Sequence, residues 1–322
     1  MDLVLRRFAV DWDFQKTYCQ YYLYDLPTHI RIPLVRYVSL LSGEGVSISD
    51  LRSILLPPLI DPEEGGNPTD EDDPSSVNES FTHLDLTGAV GRSLKLRDLS
   101  DLLWPAQPEP IDLPDSWDAP DEQAATLSAS VTGVPRSLLP NLTHLSLALD
   151  PDLPSSVTWR HLLAFASRQN NLTHLSLAFW PEPTLTPNAK ISSVVTREGH
   201  VVQYGGTGPY SHSLDNDWSE AIMVVSRLSR SLYELEYLDL TGCASWSPAL
   251  WSSADHDMVD WVGHWGKIST ILLYPGHQLP EDASIAEMTE YSQWRGYAVM
   301  LERHIRGRRA GQGRFITVEA GG

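Results

Sequence analysis

Four stretches of the chain are copies of one another: Phe81-Thr-His-Leu-Asp-Leu-Thr-Gly88, Leu142-Thr-His-Leu-Ser-Leu-Ala-Leu149, Leu172-Thr-His-Leu-Ser-Leu-Ala-Phe179 and Leu235-Glu-Tyr-Leu-Asp-Leu-Thr-Gly242. A weaker fifth is Ile268-Ser-Thr-Ile-Leu-Leu-Tyr-Pro275. Each fits apolar-x-x-Leu-x-Leu, with Ile271 standing for the first Leu in the fifth, and the fourth continues to Cys243 at the ninth position. The copies recur at multiples of about 30 residues: 30 from Leu145 to Leu175 and 34 from Leu238 to Leu272. Leu84 to Leu145 is 61 and Leu175 to Leu238 is 63, about two intervals each. Apolar residues alternating with polar ones read as half-buried strands. A period of this size, long enough for one strand and one helix, reads as a stack of similar units.

On these motifs the chain resembles the leucine-rich repeat superfamily, in particular its long, helix-bearing kind. The resemblance covers roughly residues 46–275. It implies an α/β solenoid, a curved parallel sheet backed by outer helices, closed by helical caps and interrupted by long loops. Residues 1–45 are expected to form an N-terminal helical cap and 46–280 the solenoid. Residues 281–322 are expected to form a C-terminal capping helix and a basic tail.

Between the copies, helical spacing appears near 96–103, over 156–169 and from Asp217 onward. It appears again over about 256–265 and 283–305. Residues 180–216 depart from the pattern as an insertion, with a hairpin expected between Ile191 and Tyr204. The segment 110–114 reads equally as a degenerate strand or as part of an insertion. Residues 1–24 are rich in aromatics and carry no clear period. After them, Leu26-Pro27, a helical stretch, a break at Ser42–Gly45 and a second helix over 50–56 capped at Ser49-Asp50 resemble an F-box. That resemblance implies a substrate receptor of a ubiquitin ligase; the same helices serve equally as a cap on the first strand.

The net charge is −19, and two tracts carry most of it. Residues 61–79 hold eight acids and 104–122 hold six, with no Lys or Arg in either; without them the charge would be −5. Such tracts are expected to be loops. The acidic balance disfavours nucleic acid and anionic lipid as partners, except at the basic tail 303–314. Two cysteines, Cys19 and Cys243, make no disulfide framework. With no apolar run near the roughly 20 residues of a membrane helix and no signal-like start, a cytoplasmic or nuclear location is expected.

Because side chains alternate along a strand, the residues flanking each inward Leu share one face. The candidate binding residues are His83, Asp85, His144, Ser146, His174, Ser176, Tyr237 and Asp239, with Thr270, Leu272 and Tyr274 from the fifth copy. Stacked strands turn these into columns, a polar surface suited to an extended protein partner. Three His in one column raise the question of zinc, but Tyr237 and Thr270 break the column and neither acid nor Cys joins it, so no metal or other cofactor is expected. His212 and Asp217 match the His-x4-Asp spacing of glycerolipid acyltransferases, whose Asp orients the His as general base. No phosphate-binding motif accompanies them. The expected function is non-enzymatic: a protein-binding scaffold or recognition subunit.

Overall fold

The computed structural model describes residues 2–58, 74–105, 137–185, 194–195, 201–202, 218–254, 257–277, 279, 283–312 and 314–320. It is a mixed α/β structure built on one six-stranded parallel sheet. In sheet order, its strands are β1 (His83–Asp85), β2 (His144–Ser146), β3 (His174–Ser176), β6 (Tyr237–Asp239), β9 (Thr270–Leu272) and β10 (Thr317–Glu319). The inserted region contributes β4 (Val194–Val195) antiparallel to β5 (Val201–Val202), in line with the expected hairpin. A second small hairpin pairs β7 (Ser253–Ala254) with β8 (Asp257–Met258).

The strands align in register, so equivalent leucines stack in rows. Leu84, Leu145, Leu175, Leu238, Ile271 and Val318 form one row across all six strands. Each is under a tenth exposed. Leu86, Leu147, Leu177, Leu240 and Leu273 form a second buried row. The partner of Leu238 is Ile271, one residue before the Leu272 used in the spacing count; Leu272 faces the other way. Parallel strands need crossovers, and those described are helices with one apolar face. They are α6 (Leu96–Leu103), α7 (Trp159–Ala166), α8 (Ser219–Ser231) and a 3-10 turn at Ala244–Leu250. Leu99, Phe165, Val225 and Trp246 bring those faces onto the leucine rows. Trp159 lies edge-on to Trp180 and Trp246, at 5.2 and 5.7 Å between ring centres. Their indole N–H groups are not wasted: Trp180 donates to the Leu147 carbonyl at 2.8 Å and Trp246 to the Trp180 carbonyl at 3.1 Å. Cys243 is fully buried, and burial raises its thiol pKa, so it is packing rather than chemistry.

Before the sheet come α1 (Asp2–Val10), α2 (Trp12–Cys19), α3 (Thr28–Leu41), α4 (Ile48–Leu55) and the short α5 (Pro74–Val77). The first two occupy the aromatic segment whose period was not legible. The α4 cap sits at Ser47, two residues earlier than expected: Ser47 accepts from the Asp50 backbone N–H while Asp50 accepts in return from Ser47. The α3 helix lies against β1, at the sheet edge. Part of the acidic tract 61–79 is structured. Asn78 is buried, its amide carbonyl accepting from Arg31 at 2.7 Å and its NH2 donating to the Leu55 carbonyl at 2.8 Å. Trp104, at the head of the other tract, is also buried. Residues 61–73, 106–122 and the 110–114 segment lie outside the described residues.

Two C-terminal expectations change. Within the segment 256–265, the described residues 257–265 do not form a helix. Asp260 accepts from the backbone N–H groups of Val262 (3.1 Å), Gly263 (2.8 Å) and His264 (3.3 Å), which holds the chain in a turn instead. Trp261 and Trp265 are buried from that turn. The helix α9 (Ile285–Arg308) forms over the expected span, but the chain beyond it is not a free tail: β10 joins the sheet beside β9. Arg309 is 3% exposed and donates to three carbonyls, of Trp261 (2.8 Å), Ile268 (2.7 Å) and Trp265 (2.7 Å). It closes the turn that Asp260 starts. Among the described residues no helix is long and apolar enough to cross a membrane.

The leucine rows set one testable expectation. Leu145→Ala or Leu175→Ala should each cost about 2–5 kcal/mol in chemical denaturation, from lost burial plus the cavity left behind. A loss below about 1 kcal/mol at both positions would mean that the rows are not close-packed.

Candidate functional site

The face opposite the leucine rows carries all eight residues singled out in the sequence. The register sets His83, His144, His174 and Tyr237 in one column, and Asp85, Ser146, Ser176 and Asp239 in the next. A third column holds Thr87, Ala148, Ala178, Thr241 and Tyr274.

The first column is a ladder of rings. His83 stacks on His144 and His144 on His174, both at 3.9 Å between centres, with planes 21° and 14° apart. Tyr237 continues it at 5.4 Å from His174. The cause is the sheet spacing, since identical side chains on adjacent parallel strands sit about 4.8 Å apart. Each ring is held by the residue before it: Thr82, Thr143 and Thr173 lie 2.8, 2.9 and 2.9 Å from the Nδ1 of the following His. Thr143 and Thr173 also donate to the carbonyl of the preceding Thr in the ladder, both at 3.3 Å. Burial lowers the pKa of His144 to about 4, with the neighbouring His174 and His83 adding to the shift. Burial also lowers His174, against the opposing pull of Glu236. Stacked rings aim their lone pairs along parallel lines, whereas zinc needs them to converge on one point. Among the described residues no cluster of His, Cys, Asp and Glu is arranged to hold a metal.

The second column is a hydrogen-bonded polar strip. Asp85 accepts from the backbone N–H and hydroxyl of Thr87, at 3.1 and 2.6 Å. Asp239 accepts from the same two groups of Thr241, at 3.0 and 2.6 Å. These are one motif, Leu-Asp-Leu-Thr-Gly, met twice. Ser146 lies 2.8 Å from the Thr87 hydroxyl, and Ser176 donates to Asp239 at 2.7 Å. His174, Ser176 and Asp239 share the face, but Ser176 points its proton at Asp239 while His174 is engaged by Thr173. The hydrogen bonds that form therefore separate the imidazole from the hydroxyl it would have to activate. His212 and Asp217 lie outside the described residues.

The third column ends in backbone that must turn. Gly88 and Gly242 follow their Thr with φ of 76°, and Phe179 holds the equivalent place with φ of 61°. Its ring lies across Gly242 and Gly276, where a Cβ would come within 2.3 and 2.4 Å of it. The sequence offered no sign of this contact. Nor did it mark Arg36 of α3, whose Nε reaches Asp85 at 3.3 Å, or Glu319 of β10, which accepts from the Tyr274 hydroxyl at 2.6 Å. That bond, with burial second, pushes the Tyr274 pKa up to about 12. An open groove of about 700 Å³ runs along the face from Arg36 and Asp85 to Ser176 and Asp239. A shallower one of about 210 Å³ lies over the ring ladder.

A scan against protein-family models and searches of curated proteins and solved structures find no match.

The ladder makes acid stability measurable. His144 and His174 titrate lower in the folded chain than the ordinary 6.5, so below that pH the unfolded chain binds more protons. On this account stability falls as pH drops from 6.5 and the loss levels off below about 4. His144→Phe keeps a ring in the stack and removes its proton site. The urea midpoint of that variant should fall less between pH 6.5 and 4 than that of wild type; equal slopes would mean that His144 is not linked to folding.

Proposed function

We propose that the chain is a leucine-rich-repeat solenoid acting as a non-enzymatic scaffold or recognition subunit, and that the polar face of its sheet docks an extended protein segment. The observation that carries this reading is the continuity of the face. Four successive strands present the same columns in register, and an open groove follows them. Ser, Thr and Asp along the groove are partly engaged yet keep acceptor capacity, and the ring ladder forms a firm, flat wall. A solenoid puts such a face to use as a binding surface. The hydrogen bonds within the face support binding over catalysis, since the Thr87, Ser176 and Thr241 hydroxyls are tied to the Asp85 and Asp239 carboxylates rather than to an imidazole. Of the helices at 28–55, α3 lies against β1 and α4 against α6, which supports a capping role for the F-box-like segment.

Ser146→Tyr tests the reading without changing charge. It sets a ring over the middle of the groove and points away from the leucine rows. The unfolding midpoint should stay near that of wild type, while affinity for a partner identified by affinity purification should fall at least about tenfold, or ~1.4 kcal/mol. The control is Asp101→Lys on α6, where the side chain is exposed. If Ser146→Tyr binds like wild type while changes in the β4–β5 hairpin abolish binding, the face is only scaffold and the insertion is the recognition surface.

A further inference from the structure

The two Leu-Asp-Leu-Thr-Gly motifs sit in the same geometry but not in the same electrostatic setting. At Asp85, two acceptor positions are taken by Thr87 and the carboxylate is paired with the guanidinium of Arg36, brought in by α3. At Asp239, Thr241 and Ser176 supply neutral donors. Among the described residues no Lys or Arg pairs with Asp239 or with Glu319. Yet the sheet register sets those two carboxylates on either side of Leu272 in one row. With about 4.8 Å between strands, their Cα atoms lie roughly 10 Å apart. Leu272 is half-buried and faces the same way, an apolar floor between two anions. Tyr274 lies two residues beyond Leu272, just past the end of β9, and holds Glu319 by its hydroxyl. Tyr237 lies diagonally across; its pKa is raised by burial and by the negative charge of Asp239 and Glu319.

We propose that Asp239, Leu272 and Glu319, walled by Tyr237 and Tyr274, form a socket for an arginine side chain presented by the partner segment. The proposal rests on the reading of this face as a docking surface and names the chemistry of what docks. A long cationic side chain suits it because its methylene stem can lie on Leu272 while its head meets the carboxylates. Arginine suits it better than lysine. Its planar fork offers donors in two directions and stacks on tyrosine faces, whereas an ammonium is a compact point charge. Arg36 at Asp85 shows that the same motif accepts a guanidinium within the chain itself. The net charge of −19 adds long-range attraction for a cationic segment, though without choosing where it lands.

Binding at the socket must therefore be separated from diffuse attraction. The probes are a fluorescein-labelled oligo-arginine peptide and an oligo-lysine peptide of equal length, titrated by anisotropy at fixed ionic strength. Wild type should bind the arginine peptide more tightly. Asp239→Asn and Glu319→Gln should each weaken it by about fivefold, the upper end for a partly exposed ion pair. Asp101→Asn on α6 removes the same charge elsewhere and should change little. Leu272→Arg supplies the guanidinium from within the chain and should block the socket. Unfolding midpoints near wild type would show that all variants fold. Equal losses from Asp239→Asn and Asp101→Asn would mean diffuse attraction to an acidic chain and would overturn the socket. Equal affinity for the two peptides would overturn its preference for guanidinium. A partner whose binding is lost in Ser146→Tyr but kept in both Asp239→Asn and Glu319→Gln would overturn the socket and leave the docking face standing.

Discussion

Everything in this molecule hangs on one row of side chains: Leu84, Leu145, Leu175, Leu238, Ile271 and Val318, stacked in register across six parallel strands. Each strand is only three residues long. Alone, none could bury its leucine, because a three-residue strand has no second side to close over it. Stacked, each leucine is covered by its neighbours and by a helix behind. The apolar gain per buried leucine is about 1.5–3 kcal/mol, and it is available only when the neighbouring unit is present. Tryptophans and buried leucines of the connecting segments complete the layer, so the sheet and its helices form one apolar cluster.

The same register dictates the opposite face. Alternation turns the residues on either side of each buried leucine outward, and the stack then repeats them at the strand spacing. That is why three histidines that are far apart in the chain become a ring ladder at 3.9 Å. It is also why His144 and His174 titrate low: each ring is partly shut off from water by its neighbours, and a charge on one opposes a charge on the next. The polar strip beside it has the same origin, with carboxylates at its ends and serines between.

The two ends of that strip are treated differently by the rest of the structure. At β1 the N-terminal helices close the edge, and α3 delivers Arg36 to Asp85. At the other end the chain leaves through the long helix α9 and returns as β10, which brings Glu319 level with Asp239 and Leu272. The turn before β9 that supports this arrangement depends on Asp260 and Arg309: one gathers backbone N–H groups, the other backbone carbonyls. A buried arginine bonded to three carbonyls replaces what a further helix of the expected kind would have supplied.

How much of this was legible in the sequence depends on the range of each interaction. The Leu-x-x-Leu-x-Leu copies alone determined the strands β1, β2, β3, β6 and β9, the inward and outward positions along them, and hence all eight residues of the candidate face. Alternation within a strand is a local property, and the repeated motif carries it in every copy. The helices near 96–103 and within 156–169 were legible for the same reason, from their own apolar spacing, though the second is shorter than read, Trp159–Ala166. Features that depend on distant segments were not. The strand β10 lacks the repeated motif and is a strand because β9 offers it an edge. The segment 256–265 has helical spacing, but Asp260 captures its N–H groups and Arg309, some fifty residues on, takes its carbonyls. Asn78 lies in a tract whose composition reads as loop, yet Arg31 and the Leu55 carbonyl fix it. Arg36, Glu319 and the ring of Phe179 reach the face across gaps that no period records. Local periodicity settled which side of each strand faces out, and only tertiary packing decided which charges meet there.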